Sequence, residues 1–233
     1  MGINTSALRN IEQPSKLRRA AKGNQPPALT DIYDEEVNIS IWQRQLSNSL
    51  LVVVDELLSQ NPTLQFSINA DPRSIPCQLN ELIDKSSLNI PKISLLTQDI
   101  ANTVNMFCCL FDIERVGLRL TALNKAMCPK FHVDRVPARL ISTYQGQATE
   151  WLPHHCVDRS KLGAGSLGKS DNVSGIYSHN EDIQQLNTGD VAILKGELWE
   201  GNENAGLVHR SPATRDSETR LLLTLDFVAA TQH

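Results

Sequence analysis

The hydrophobic periodicity of this 233-residue chain changes once, near Val116, and that change limits what it can fold into. Before it, apolar residues recur at spacings of three and four. Ile39, Trp42, Leu46, Leu50, Val53, Val54, Leu57 and Leu58 predict a helix over 38–60, stopped by Asn61-Pro62. Asp71-Pro72 and Ile75-Pro76 mark a turn-rich link. A second helix is expected over 78–86, and a third over 95–111 with Ile100, Val104, Phe107, Cys108 and Phe111 on one face. From Val116 the period drops to two: Val116, Leu118, Leu120 and Ala122 alternate with Gly117, Arg119 and Thr121, as in a half-buried strand. Further strands are expected at 131–133, 138–144, 173–177, 191–194, 207–209 and 221–228, separated by Gly, Asn and Asp clusters. The fold class is therefore α+β: a helical N-terminal half, then an antiparallel sandwich or barrel.

Three regions follow: a flexible basic arm over 1–30, a helical region over 31–115 packing on the barrel, and a strand-rich domain over 116–233. The arm carries Arg9, Lys16, Arg18, Arg19 and Lys22 against Glu12. The whole chain holds 22 basic and 26 acidic residues, a net −4, which argues against nucleic-acid phosphate as the main partner. No apolar run approaches the roughly 18 residues of a membrane span. The longest, Leu50 to Leu58, is broken by Asp55 and Glu56. With no apolar stretch after the N-terminal basic residues and an odd five cysteines, reduced thiols in a cytoplasm are expected.

The chemistry concentrates after Val116. Cys128-Pro129-Lys130-Phe131-His132-Val133-Asp134 holds a His-x-Asp pair, and strand residues i and i+2 share a face. His132 and Asp134 can thus offer an imidazole and a carboxylate to one point. A second imidazole from a distant strand completes a 2-His-1-carboxylate facial triad, which leaves open positions on a ferrous ion. A structural hydrogen-bonded pair, or a salt bridge from Asp134 to Arg135, accounts for the same residues without metal. Glu150 and Trp151 read as turn and core residues, and Asp190 after Gly189 as a turn residue.

Downstream, Thr188-Gly189-Asp190 leads the strand Val191–Leu194, then Ala205-Gly206-Leu207-Val208-His209, and Arg220 opens Leu221–Phe227. This order resembles the Fe(II)/2-oxoglutarate-dependent dioxygenases over roughly residues 128–228. The resemblance implies a double-stranded β-helix (a cupin-like jelly roll), with His132, Asp134 and His209 as metal ligands and catalytic centre. It also implies Arg220 as the anchor for the far carboxylate of 2-oxoglutarate and hydroxylation of an unknown substrate. Arg suits that anchor because its planar fork grips a carboxylate with two hydrogen bonds. A salt bridge from Arg220 to Glu218 or Asp226 competes with that role. Arg139 and Tyr144, on the strand after the first ligands, are placed at the cofactor pocket.

A closer likeness spans the chain from about Ile41 onward. The Cys128–Asp134 segment, Thr149-Glu150-Trp151-Leu152 and Val208-His209-Arg210-Ser211-Pro212 are similar to an uncharacterised bacterial family, domain of unknown function eighteen twenty-six. That resemblance supplies no reaction. It implies a neighbourhood of metallochaperone GTPases and so a link to zinc supply. A zinc protein without oxygenase activity could use Cys128 with His132, or His154-His155-Cys156, since sulfur and imidazole suit tetrahedral zinc. A third reading is a cupin-like jelly roll that binds a small molecule without redox chemistry.

Overall fold

The computed structural model describes residues 17–85, 90–213 and 218–228. The elements run β1 (Arg19–Gly23), β2 (Val37–Trp42), α1 (Asn48–Gln60), β3 (Gln65–Ala70), α2 (Ile75–Lys85), α3 (Ser94–Phe111), β4 (Val116–Leu123), β5 (Ala138–Gln145), β6 (Glu150–Leu152), α4 (Asp171–Ser174), β7 (Gln184–Gln185), β8 (Val191–Lys195), β9 (Val208–Arg210) and β10 (Arg220–Phe227). Seven strands form one sheet in the order β1-β2-β8-β5-β10-β4-β3, and three form another, β7-β6-β9. The chain is a mixed α/β fold dominated by the seven-stranded sheet.

Strand alternation assigns each face of that sheet a different task. Leu221, Leu223 and Leu225 of β10 pack with Leu118 and Leu120 of β4, Leu140 of β5, and Leu57, Ile100, Val104 and Phe107 of α1 and α3. Burying each such side chain contributes about 1.5–3 kcal/mol, so this face holds the helices in place. Leu222 points the other way and packs with Ile141, Trp151, Ala192 and Leu207 in a second core between the two sheets. The site lies on that second face. Ser47 caps α1 by accepting the Leu50 N–H on its hydroxyl.

The N-terminal half departs from its expected helical character, because β1, β2 and β3 lie within it. The expected helix over 38–60 divides into β2 and α1. Ile39, Trp42 and Leu46 fit a helical spacing, but Val37, Ile39 and Ile41 fit a strand equally well. β8 decides between them by hydrogen-bonding Ile39–Trp42 along one edge, while β1 takes the other. The basic arm also ends earlier than residue 30. Arg18 is buried, its Nε donating to Asn202 Oδ1 at 2.8 Å, and Arg19 opens β1. Residues 1–16 lie outside the described residues. The strand expected at 173–177 is replaced by the single turn of α4, and 131–133 contributes only one bridge, at His132. The expectations for α2, α3, β4, β5, β8, β9 and β10 match the observed elements to within a few residues. Among the described residues, no helix is long and apolar enough to cross a membrane.

Candidate metal centre

His132 lies before β5 and His209 sits in β9, yet their backbones pair as an antiparallel bridge. Asp134 follows two residues later, where its carbonyl accepts Glu197 N–H at 3.0 Å. Close packing holds this segment against the residues after β8. A Cβ on Gly196 would fall 2.0 Å from Val136 O and 2.9 Å from Asp134 O, so only glycine fits there.

The side chains then converge. Asp134 Oδ1 is 3.7 Å from His132 Nε2, and Asp134 Oδ2 is 3.4 Å from His209 Nε2. Each Nδ1 faces a carbonyl oxygen: Lys130 O at 2.9 Å for His132, Leu207 O at 3.2 Å for His209. Donation from Nδ1–H to those carbonyls leaves the Nε2 lone pairs turned toward the carboxylate. Three acceptors facing one another call for a shared cation. Metal–ligand bonds of roughly 2.1 Å at right angles place donor atoms about 3 Å apart, against 3.4 and 3.7 Å from Asp134 to the two imidazoles and no more than 4.8 Å within the group. The donor set therefore fits a metal ion.

Charge supports the same arrangement. Burial, with His209 beside it, lowers the pKa of His132, which favours the neutral ligand form. Burial alone would raise Asp134, but the adjacent His209 and the Arg139 guanidinium hold it down at about 2. Arg139 NH1 donates to Asp134 Oδ2 at 2.7 Å. Its Nε and NH2 grip Asp226 at 2.7 and 3.2 Å, and Arg119 joins Asp226 from β4. Arg139 and Asp226 are register partners on β5 and β10, so the sheet itself sets this ladder.

A cavity of about 290 Å³ opens beside the two histidines, lined also by Ile141, Thr149, Arg220 and Leu222. Arg220 is 2 % exposed, and burial brings its pKa down to about 10. Its NH2 donates to Thr143 Oγ1 at 3.2 Å and Thr149 Oγ1 at 2.8 Å, while its Nε has no hydrogen-bond partner among the described residues. Neither Glu218 nor Asp226 forms an ion pair with it among the described residues. An unpaired buried guanidinium is costly, and an incoming carboxylate would relieve that cost.

Of the two residues expected to line the pocket, Tyr144 is corrected and Arg139 is found there. Tyr144 does not reach the cavity. It lies on the helix-packed face, fully buried, with its hydroxyl donating to Asp99 Oδ2 at 2.6 Å. Arg139 and Tyr144 are five positions apart on one strand, so they point to opposite faces. Arg139 does line the cavity, but both ends of its guanidinium are held by carboxylates, so it offers no free fork to an anion. Among the described residues, neither Cys128 nor His154-His155-Cys156 belongs to a group of three or more potential metal ligands, although Cys128 lines the cavity with His132. Among the described residues, the one group of three potential metal ligands is His132, Asp134 and His209, and His154–Cys156 form a 3-10 turn. The sequence reading overlooked Thr143 and Asp171, and gave Asp226 only as a rival partner for Arg220. No local spacing marks them, because each reaches the site across strands or from a loop.

A family model described as a protein of unknown function (DUF1826) matches residues 23–226. The chain belongs to the DUF1826 family. No curated protein matches this DUF1826 member in sequence. Its fold is similar to that of dioxygenase for auxin oxidation 1 from Arabidopsis thaliana, solved in a binary complex with 2-oxoglutarate. That match has 8% identity and a TM-score of 0.50 over 92% of this chain and 94% of that one. The rice dioxygenase for auxin oxidation matches at 9% identity and a TM-score of 0.46, covering 91% and 83%. A Pseudomonas putida prolyl-4-hydroxylase matches at 9% identity and 0.42, covering 88% and 99%.

Proposed function

We propose that this DUF1826 protein is an Fe(II)- and 2-oxoglutarate-dependent dioxygenase with a double-stranded β-helix core, hydroxylating a substrate still to be identified. One observation carries the reading: His132 and His209, which cluster with Asp134, line the same cavity as Arg220, which has no carboxylate partner among the described residues. The likeness in fold to the Arabidopsis dioxygenase supports the architecture.

In this reading His132 and His209 would ligate through Nε2, with Asp134 supplying a carboxylate oxygen. The Lys130 and Leu207 carbonyls fix which ring nitrogen is free, so the ligands need little reorganisation on loading. Arg139 would hold the Asp134 carboxylate in place through the Asp226 ladder. Arg220, steadied by Thr143 and Thr149, would receive the remote carboxylate of the cosubstrate as a charge-assisted pair. When bound, ferrous ion and 2-oxoglutarate would supply the means to activate dioxygen, the four-electron oxidant: two of those electrons come from 2-oxoglutarate, which leaves as succinate and carbon dioxide, and two from the C–H bond that is hydroxylated. The apolar wall of Ile141 and Leu222 would limit water near that chemistry. All five cysteines are free, which fits a reducing, cytoplasmic setting.

The test is anaerobic titration of the metal-free protein with Fe(II) and then 2-oxoglutarate. The expected result is a visible charge-transfer band of the ternary complex, followed by 2-oxoglutarate-dependent succinate release on admitting oxygen. Tight binding of zinc, with neither the band nor succinate, would instead support the zinc alternative at the same ligands.

A further inference from the structure

Asp171 lies far from both histidines in sequence, on the one-turn helix α4 in the connection between β6 and β7. Its side chain is nonetheless buried, at 8 % exposure for the residue. Oδ2 accepts the backbone N–H of Phe131 at 2.9 Å and the guanidinium NH1 of Arg210 at 2.8 Å. Phe131 immediately precedes His132, and Arg210 immediately follows His209. A single carboxylate oxygen therefore grips the neighbours of both histidines, on segments distant in sequence.

Other contacts stiffen the same junction. The Arg210 guanidinium stacks 4.2 Å from the centre of the Phe131 ring, and its Nε donates to Glu150 Oε2 of β6 at 2.6 Å. Lys130 Nζ donates to Gly168 O and Lys169 O at 3.3 and 3.0 Å, tying the residue before Phe131 to the same connection. Phe131, Leu152, Ile176 and Val208 form a small core of their own beneath it. Breaking a buried, charge-assisted contact while leaving its partner charged is strongly destabilising, so this junction has one preferred geometry.

We propose that Asp171 is a positioning residue for the metal centre: by binding Phe131 and Arg210 together, it sets the separation and orientation of His132 and His209. The inference rests on the metal reading above. Asp171 is neither one of the three candidate ligands nor a lining residue of the cavity; it touches Phe131 and Arg210, the latter lining the cavity, and its effect reaches the metal through the two histidine segments. Outer partners of this kind typically alter metal affinity by about 10- to 100-fold.

The experiment uses Co(II) as the probe, with calorimetric affinity and the visible ligand-field spectrum as readouts. Wild type, His132→Ala, Asp171→Ala and Asp171→Asn are compared as full chains, with far-ultraviolet circular dichroism to establish folding. Asp171→Ala is expected to weaken Co(II) binding by about 10- to 100-fold and to change the spectrum. Asp171→Asn keeps an acceptor for Phe131 N–H but loses the charge facing Arg210. It is expected to bind with intermediate affinity, and it decides the matter if the alanine variant does not fold. Wild-type affinity and spectrum in a folded Asp171→Asn or Asp171→Ala variant, with only the melting temperature lowered, would overturn the inference alone. If wild type binds no Co(II), or His132→Ala binds it as wild type does, the metal reading fails and the inference fails with it.

Discussion

The main chains of His132 and His209 hydrogen-bond to each other in both directions, N–H to carbonyl oxygen at 3.0 Å each way. That reciprocal pair makes the two histidines cross-strand neighbours, with ring centres 4.6 Å apart. Asp134, one alternation further on, then has both rings within reach of its carboxylate. The centre is a product of this bridge, and its consequences can be measured.

Replacing both Asp134 and His209 with alanine removes two of the three acceptors. The double variant is expected to lose metal affinity by more than the roughly 100-fold that loss of an outer partner costs. Elemental analysis after dialysis against metal-free buffer checks this, and retention of wild-type stoichiometry would sink the triad.

Arg220→Met separates binding from folding. The Michaelis constant for 2-oxoglutarate is expected to rise about 10- to 100-fold, the equivalent of roughly 1.4–2.8 kcal/mol from a lost charge-assisted pair. The melting temperature of the ligand-free protein should hold or rise, because an apolar side chain of similar length replaces a buried cation without a carboxylate partner. An unchanged Michaelis constant with intact metal binding would remove Arg220 from the site.

Tyr144→Phe tests the other face of the sheet. It deletes the hydrogen bond to Asp99, whose carboxylate stays held by Arg44 at 2.7 and 2.9 Å. Denaturant unfolding should show a loss of about 1.5–3 kcal/mol, the usual worth of a hydrogen bond to a charged group. Affinities for metal and 2-oxoglutarate should stay at wild-type values, and a selective loss of either would return Tyr144 to the pocket.

Lys195 gives a pH signature. Burial, with the nearby Arg18 charge, lowers its pKa to about 8, while its ammonium donates to Asp34 O at 3.0 Å. An unfolded lysine titrates near 10.4. Between about pH 8 and 10.4 the unfolded chain therefore binds the extra proton, and wild-type stability from this group rises with pH across that window. Lys195→Met lacks the rise. Its stability relative to wild type should be flat below about pH 8 and fall from there toward pH 10, measured by unfolding at fixed ionic strength. A difference that stays level across the window would contradict a depressed Lys195.

Whatever depends on local period is legible in the residues themselves. The three-and-four spacing of Leu50, Val53, Val54, Leu57 and Leu58 matches the buried stripe of α1, and the alternation from Val116 to Ala122 matches β4. The His-x-Asp spacing likewise placed His132 and Asp134 toward one point, because i and i+2 share a face along an extended chain. The rest depended on which strands pair. Residues 37–42 fit helix and strand patterns alike until β1 and β8 supplied their backbone hydrogen bonds. Arg139 lines the pocket as its strand position predicts, but pairing β5 with β10 put Asp226 opposite its guanidinium. Arg220 remained without a carboxylate among the described residues because that same pairing engaged Asp226 elsewhere. Local periodicity fixes which way a side chain points; only strand order fixes what it meets there, since partners such as Asp226 and Asp171 are distant in sequence and adjacent only once the sheets close.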